Sequence, residues 1–200
     1  MTTSAIVLCG GRSARMGRDK ATLSFGDETL LARVVRTARM VVDDVVVVGE
    51  SDAVWPDGVR VVRDPVDGLG PLAGLVTGLM AAHGDRALLL AGDMPLLVPA
   101  VLRRILESGG DAEACVPLVD GVPMTTCAVY GRCLLERAQV QLASGSRSLR
   151  ALLGNASVHW LPAVELCALD PELLSFWDCD TPEQYRAALL KAGLGASLAE

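Results

Sequence analysis

The chain has 200 residues, of which 51% are hydrophobic and 21% are charged, and its formal net charge is −6. This composition is typical of a globular protein and excludes an intrinsically disordered one. The acidic charge also argues against a nucleic-acid binder, because a phosphate backbone repels an acidic surface.

The cysteines and the first apolar run indicate the compartment. None of the six cysteines forms a Cys-x-x-Cys pair, which is more typical of reduced thiols in a cytosolic protein than of a disulfide framework or a zinc site. The apolar run Ala5–Cys9 is too short for a signal peptide or a membrane span. We therefore expect a cytoplasmic protein that does not contact a membrane.

The predicted elements alternate between strands and helices. In chain order, the hydrophobic pattern predicts a strand at 4–9, a helix at 28–41 with Asp27 as its N-cap, strands at 45–48 and 59–63, a helix at 70–82, a strand at 86–91, a helix at 99–107, strands at 114–118 and 125–130, helices at 132–143 and 148–153, and a strand at 157–161. A capping box at Thr181–Gln184 starts the last helix. This alternation predicts an α/β fold with a mostly parallel, mixed sheet and helices on both faces.

A glycine-rich basic segment follows the first predicted strand. It begins with Gly10 and Gly11 and includes Arg15 and Lys20. Glycines allow backbone N–H groups to approach an anion, and the cations supply charge. The segment matches neither the P-loop pattern nor the G-x-G-x-x-G dinucleotide fingerprint. From composition alone, a tight turn followed by solvated arginines is an alternative.

Carboxylates follow three other apolar segments. Asp64 comes after the third predicted strand, Asp93 after the fourth, and Asp178 and Asp180 stand before the last helix. Taken singly, each also suits a turn or a helix cap. Because ligands of open α/β sheets bind beyond the carboxyl ends of the strands, we expect the cations and these carboxylates to converge.

This convergence predicts a polyanionic ligand. The cations would hold phosphates, and the carboxylates would hold a Mg²⁺ ion bound to those phosphates, since Mg²⁺ takes one or two carboxylates together with phosphate oxygens. Without a metal, Asp93 would repel a triphosphate. The residue pattern therefore predicts a nucleotide-binding enzyme that acts on phosphates.

Four segments carry a resemblance to a known family. Leu8–Lys20 resembles the L-x-G-G-x-S-x-R-M-G-x-D-K signature of nucleotidyltransferases with a Rossmann-like fold. Together with Gly70–Gly74, Gly92–Pro95 and Asp180–Glu183, it is most similar to molybdenum cofactor guanylyltransferases. The resemblance spans nearly the whole chain and implies a three-layer α/β/α fold. We expect one domain over residues 1–200, with a nucleotide-binding half at about 1–110 and an acceptor-substrate half at about 111–200.

The resemblance also implies roles for individual residues. The residues that it assigns to GTP binding are Leu8, Cys9, Gly10, Gly11, Lys20, Gly49, Asp64 and Asp93. Arg15, Lys20 and Asp93 are the implied catalytic residues: the two cations bind the triphosphate, and Asp93 binds Mg²⁺, with Asp180 as a further candidate ligand. Asp178 and Asp180 fall where relatives carry Asn-x-Asn beside the acceptor, although two aspartates also suit a metal contact.

The family reaction joins GMP, taken from GTP, to the terminal phosphate of molybdopterin and releases pyrophosphate. A phosphate nucleophile is already ionised at neutral pH, so charge neutralisation and in-line positioning should supply most of the catalysis. The resemblance also implies contact with a cofactor-delivering protein or a molybdoenzyme.

Other functions stay open at this point. The nearest is a molybdopterin cytidylyltransferase or another NTP-dependent nucleotidyltransferase of the same fold, because base selection depends on pocket shape. An alternative of another class is a non-catalytic nucleotide-binding adaptor. The missing G-x-G-x-x-G pattern disfavours a dinucleotide-dependent oxidoreductase.

Overall fold

A computed structural model describes residues 2–9, 23–50, 55, 57–63 and 70–195. Its strands are β1 (Thr3–Cys9), β2 (Ser24–Phe25), β3 (Glu28–Thr29), β4 (Asp44–Gly49), β5 (Val59–Val62), β6 (Arg86–Ala91), β7 (Ala114–Val119), β8 (Val122–Pro123), β9 (Cys127–Gly131) and β10 (Val158–Pro162). Its α-helices are α1 (Leu30–Ala38), α2 (Pro71–Ala81), α3 (Pro99–Glu107), α4 (Leu135–Ala143), α5 (Leu149–Leu153), α6 (Val164–Cys167) and α7 (Pro182–Lys191).

The main sheet has eight strands, in the order β10-β7-β9-β6-β1-β4-β5, with β8 paired to β7. Strand β9 is antiparallel to both β6 and β7, whereas the β1–β4, β1–β6, β4–β5 and β7–β10 pairs are parallel. This mixed, mostly parallel sheet confirms the predicted fold class. The carboxyl ends of β1, β4 and β6 and the amino end of β9 consequently lie at one edge of the sheet.

Two apolar layers cover the sheet. One contains the inner faces of α1, α3 and α6, and the other contains those of α2, α4 and α5. The valines at 45–48 are all buried because Val45 and Val47 face the first layer, whereas Val46 and Val48 face the second. A smaller cluster joins α7 to Phe25 and Leu30. In the described part of the chain, no helix has the length and apolar composition needed to cross a bilayer.

Two glycines bring α2 close to β1. A Cβ at Gly74 would lie 2.5 Å from a δ-methyl of Leu8, and a Cβ at Gly78 would meet the side chain of Ile6. The helix starts at Pro71 after Gly70, whose φ of +78° favours glycine. The Gly-Pro-Leu-Ala-Gly segment therefore places the amino end of α2 over the carboxyl end of β1.

The start of the first helix differs from the prediction. Asp27 was expected to cap a helix over 28–41, and this is wrong: Glu28 and Thr29 pair with Ser24 and Phe25 in the β2–β3 hairpin. Helix α1 begins after Thr29, whose hydroxyl accepts a hydrogen bond from the Ala32 N–H at 3.1 Å. The short hairpin uses the residues that periodicity assigned to the first helical turn.

The half-buried carboxylate of Asp44 links several segments at the amino edge of the sheet. Asp44 accepts hydrogen bonds from the Ser4 hydroxyl at 2.5 Å, the Arg60 guanidinium at 2.7 Å and the His83 N–H at 2.9 Å. The fully buried Ser4 hydroxyl in turn accepts from the Gly84 N–H at 2.9 Å. Burial raises the pKa of Asp44, but the hydrogen bonds and the Arg60 charge outweigh burial and hold this pKa below its usual value.

We expect Asp44→Asn to lower the free energy of unfolding by about 1–3 kcal/mol at pH 7, because it weakens a hydrogen-bonded network around a carboxylate. A pKa that is lowered in the folded state stabilises the fold above the unfolded pKa, and this contribution is lost as the pH falls through the folded value. The difference between wild type and variant should therefore shrink in acid, below about pH 4. Urea unfolding of wild type and variant, at pH 7 and again below about pH 4, measures this difference in the free energy of unfolding. The control is Asp43→Asn, which changes the neighbouring, exposed aspartate. A difference that does not change with pH would contradict the role of the ionised carboxylate.

Candidate active site

Residues that were predicted to bind the nucleotide lie together at the carboxyl ends of the parallel strands. Cys9 is paired in register with Gly49 on one side of β1, and Leu8 is paired with Ala91 on the other. Leu8, Cys9 and Gly49 therefore lie side by side, and the residues after Ala91 start from the neighbouring strand. The structure confirms the expectation that these segments end at the same edge.

The turn after β6 directs Asp93 over this edge. The Gly92 N–H donates to the Leu8 carbonyl at 3.0 Å, and a Cβ at Gly92 would lie 2.7 Å from the same oxygen. Only a residue without a side chain fits this approach without a backbone shift. Glycine at 92 thus holds Asp93 next to the end of β1.

A cavity of about 230 Å³ lies beside this turn. Asp93, Asp178 and Asp180 all contribute to its wall. The Cys179 N–H donates to the Asp93 carbonyl at 3.0 Å and joins the two acidic segments through the backbone. Three of the four predicted carboxylates therefore line one cavity, as expected from their positions after apolar segments, whereas Asp64 and the predicted cations lie outside the described residues.

The capping box of α7 positions one of these carboxylates. The Thr181 hydroxyl accepts from the Gln184 N–H at 3.2 Å, and the Gln184 side-chain oxygen accepts from the Thr181 N–H at 2.9 Å. The Gln184 amide also donates to Asp178 at 3.0 Å. This confirms the predicted capping box and shows that the same glutamine orients a residue of the cavity wall.

The rest of the cavity wall is mainly apolar. It is formed by Ala91, Met94, Met124, Thr126, Cys127 and Phe176. Burial raises the pKa of Cys127 to about 12, so this thiol stays protonated at neutral pH and is a poor nucleophile. The arrangement therefore supplies carboxylates and a binding surface rather than a covalent catalyst.

The carboxylates are the donor set that Mg²⁺ prefers. Among the residues that the structure describes, no three His, Cys, Asp or Glu side chains form a ready-made metal cage. Mg²⁺ commonly takes only one or two protein carboxylates and completes its shell with water and substrate phosphates. The acidic wall formed by Asp93, Asp178 and Asp180 therefore fits such an ion.

Residues 5–160 match the family model of the MobA-like NTP transferase domain. The chain belongs to this family. Membership confirms the predicted resemblance and the prediction of a nucleotidyltransferase. The match begins within β1, includes the turn after β6 and all of β9, and ends within β10.

Two curated relatives and one solved structure align with nearly the whole chain. A probable molybdenum cofactor guanylyltransferase of Chloroflexus aggregans is 33% identical over 98% of this chain and 97% of its own. The molybdenum cofactor guanylyltransferase of Desulfosudis oleivorans is also 33% identical, over 95% and 96%. The crystal structure of the molybdopterin-guanine dinucleotide biosynthesis protein A of Archaeoglobus fulgidus has a TM-score of 0.81 at 23% identity, covering 95% of this chain and 98% of that one. This last similarity supports the fold.

The predicted site residues divide into two groups. The structure places Leu8, Cys9 and Gly49 at the β1–β4 end, and it brings Asp93, Asp178 and Asp180 to the neighbouring cavity. The remaining predicted site residues, Gly10, Gly11, Arg15, Lys20 and Asp64, lie outside the described residues. Their roles stay predictions.

The apolar side of the cavity is formed by residues that carry no functional signal of their own in the sequence. Met94 directly follows Asp93, and Phe176 precedes Asp178 by two residues, so proximity in the chain could have suggested them. Met124 and Thr126 reach the site because β9 runs antiparallel to β6 and starts at the same edge. The spacing of the strands at 114–118 and 125–130 allows a local hairpin, and β7 and β9 do pair antiparallel, but that spacing does not predict the pairing of β9 with β6.

Proposed function

We propose that the chain transfers GMP from GTP to the terminal phosphate of molybdopterin, forming molybdopterin guanine dinucleotide and pyrophosphate. The observation that supports this most is the cavity in which Asp93, Asp178 and Asp180 meet beside the end of β1, in a chain whose family members include molybdenum cofactor guanylyltransferases.

In this proposal, Asp93 and Asp180 are the residues that would hold Mg²⁺. When bound, the ion neutralises charge on the phosphates, which otherwise repel one another and the carboxylates. Asp178, oriented by Gln184 at 3.0 Å, would face the acceptor. The shared backbone hydrogen bond between Cys179 and Asp93 keeps the two acidic segments in one arrangement, so little reorganisation is needed when substrates arrive.

The nucleotide lies on the β4 side of β1 in this proposal. Leu8, Cys9 and Gly49 border the position of the nucleoside, and Gly10, Gly11 and Asp64 extend this contact from the ends of β1 and β5. Arg15 and Lys20 hold the triphosphate and stabilise the leaving pyrophosphate. Support comes from the chain order, since Cys9 ends β1 immediately before the glycines.

No side-chain base is needed. The attacking phosphate of the acceptor is ionised at neutral pH, and the new P–O bond to the α-phosphorus forms as the bond to pyrophosphate breaks. The chain's own contribution is to hold the two anionic substrates in line and to offset their charge. The six cysteines, all in the described part of the chain, are thiols, which suits the cytoplasm that we propose as its compartment. A cofactor-delivering protein or a molybdoenzyme remains the proposed protein partner.

A pyrophosphate-release assay across GTP, ATP, CTP and UTP, with and without molybdopterin, tests the proposed function. We expect release that requires both Mg²⁺ and molybdopterin and that is at least about tenfold faster with GTP than with the other nucleotides. Faster release of pyrophosphate with CTP than with GTP would instead indicate that the protein is a cytidylyltransferase. Binding of GTP without any release of pyrophosphate would indicate that the protein is a non-catalytic nucleotide-binding adaptor.

A further inference from the structure

We propose that Phe176 and Met124 recognise the ring system of the acceptor, so that this pair sets acceptor specificity without contributing to GTP binding. The inference rests on the proposed function and adds to it the residues that select the second substrate.

The cavity lies on the opposite side of β1 from the proposed nucleoside position. In the sheet, β4 flanks β1 on one side and β6 flanks it on the other, followed by β9. Gly49 ends β4, whereas the cavity is lined by Ala91 at the end of β6 and by Thr126 and Cys127 at the start of β9. The two positions therefore lie on opposite sides of β1 and adjoin at Asp93, and the cavity suits the substrate that is not the nucleotide.

The two walls of the cavity differ in chemistry. On one wall are carboxylates, which accept hydrogen bonds, and on the other are the thioethers of Met94 and Met124 and the ring of Phe176. Aromatic and thioether groups pack well against flat, polarisable rings. A heteroaromatic ring with N–H donors can satisfy both walls at once, because its face meets the apolar side and its edge meets the carboxylates.

The size of the cavity indicates that it encloses only part of a ligand. Its volume of about 230 Å³ is smaller than the roughly 300–1,000 Å³ of pockets that surround a whole drug-sized molecule. A fused ring fits this description, with the phosphate of the same molecule outside the cavity. This leaves that phosphate directed to the edge at which Asp93 and the end of β1 meet.

Hydrogen bonds in the preceding turn hold Phe176 in place. Asp170, only 5% exposed, accepts from the Ser175 N–H at 2.7 Å, and the buried Ser175 hydroxyl accepts from the Val98 N–H at 3.0 Å. The Leu173 N–H also donates to the Asp170 carbonyl at 2.9 Å. These bonds do not involve the Phe176 ring, which also packs against the first apolar layer. A leucine at 176 keeps an apolar side chain against this layer and leaves the hydrogen bonds of the turn in place.

Steady-state kinetics of Phe176→Leu and Met124→Ala test the proposal. We expect the KM for molybdopterin to rise by about tenfold in Phe176→Leu, which keeps an apolar side chain and removes the aromatic face, and by several-fold in Met124→Ala, while the KM for GTP stays within about twofold. The matched control is Trp160→Leu, which removes an aromatic ring that is 44% exposed on β10 and does not line the cavity. It should leave both KM values unchanged.

Two results would overturn the inference. One is a KM for molybdopterin within twofold of wild type in Phe176→Leu, and the other is a parallel rise of both KM values, which would indicate a general structural role. A thermal unfolding scan of each variant separates loss of fold from loss of recognition, and equilibrium binding of molybdopterin, followed by the fluorescence of the adjacent Trp177, gives a readout that does not depend on turnover. Failure of the wild-type protein to transfer GMP would instead reject the proposed function.

Discussion

Replacement of Asp93 by Asn is expected to lower GMP transfer by about 100-fold or more while the protein keeps its fold. The side chain lines the cavity, and only its charge and one acceptor oxygen change. The backbone carbonyl of residue 93, which accepts from the Cys179 N–H, is retained in the variant. Turnover at saturating GTP and molybdopterin, measured over a range of Mg²⁺ concentrations, gives the effect.

The matched control is Asp111→Asn. Asp111 is exposed and lies between α3 and the amino end of β7, at the opposite edge of the sheet. We expect this variant to turn over at the wild-type rate, and we expect both variants to unfold within about 2 °C of wild type, because each change keeps the size and shape of the side chain. Turnover of Asp93→Asn within threefold of wild type would reject the proposed metal role of Asp93.

Gly49→Ala is expected to cost about 3 kcal/mol of folding free energy or more, or to prevent folding. Gly49 has a φ of +132°, which L side chains rarely adopt, and a Cβ there would overlap the carbonyl oxygen of Cys9 on the neighbouring strand. Relief of that overlap requires β1 and β4 to separate at the point where the proposed nucleotide site begins. Urea unfolding followed by circular dichroism measures the loss.

Gly145→Ala is the control that distinguishes the effect of the overlap with Cys9 from the effect of a positive φ. Gly145 also has a positive φ, +87°, but a Cβ there has no heavy atom within 4 Å. This control should lose only about 1–2 kcal/mol, the cost of a left-handed conformation for a residue with a side chain. Equal losses in the two variants would show that crowding against Cys9 does not govern position 49. The fold therefore requires glycine at position 49 whether or not this residue contacts the nucleoside.

Most of the secondary structure could be predicted because its signals are local. Strand β6 and helix α3 have the predicted ends, and the capping box at Thr181 starts α7. Apolar runs identify buried strands, and spacing by three and four identifies helices, wherever neighbouring residues decide the outcome. The segments without such signals were missed: the two-residue strands β2, β3 and β8 and the four-residue helix α6.

The candidate site could be predicted only in part. Asp93, Asp178 and Asp180 could be predicted as site residues because each follows an apolar segment. The neighbouring sequence alone, however, is equally consistent with a turn or a helix cap at each of these positions. Their meeting in one cavity depends on β6 lying beside β1 and on the Cys179–Asp93 backbone hydrogen bond. The contributions of Met124 and Thr126 depend on the antiparallel placement of β9 next to β6, which no pattern within β9 specifies.

Local patterning and the motif Leu8–Lys20 were thus enough to assign the α/β class, the nucleotidyltransferase family and the acidic residues at the strand ends. The order of the strands, the replacement of the first predicted turn of α1 by a hairpin and the apolar wall around Phe176 were decided by the tertiary structure. The physical reason is the range of the interactions: helix periodicity and caps depend on residues within four positions of one another. Strand order and cavity walls depend on packing between segments that are far apart in the chain and lie together only once the sheet has formed.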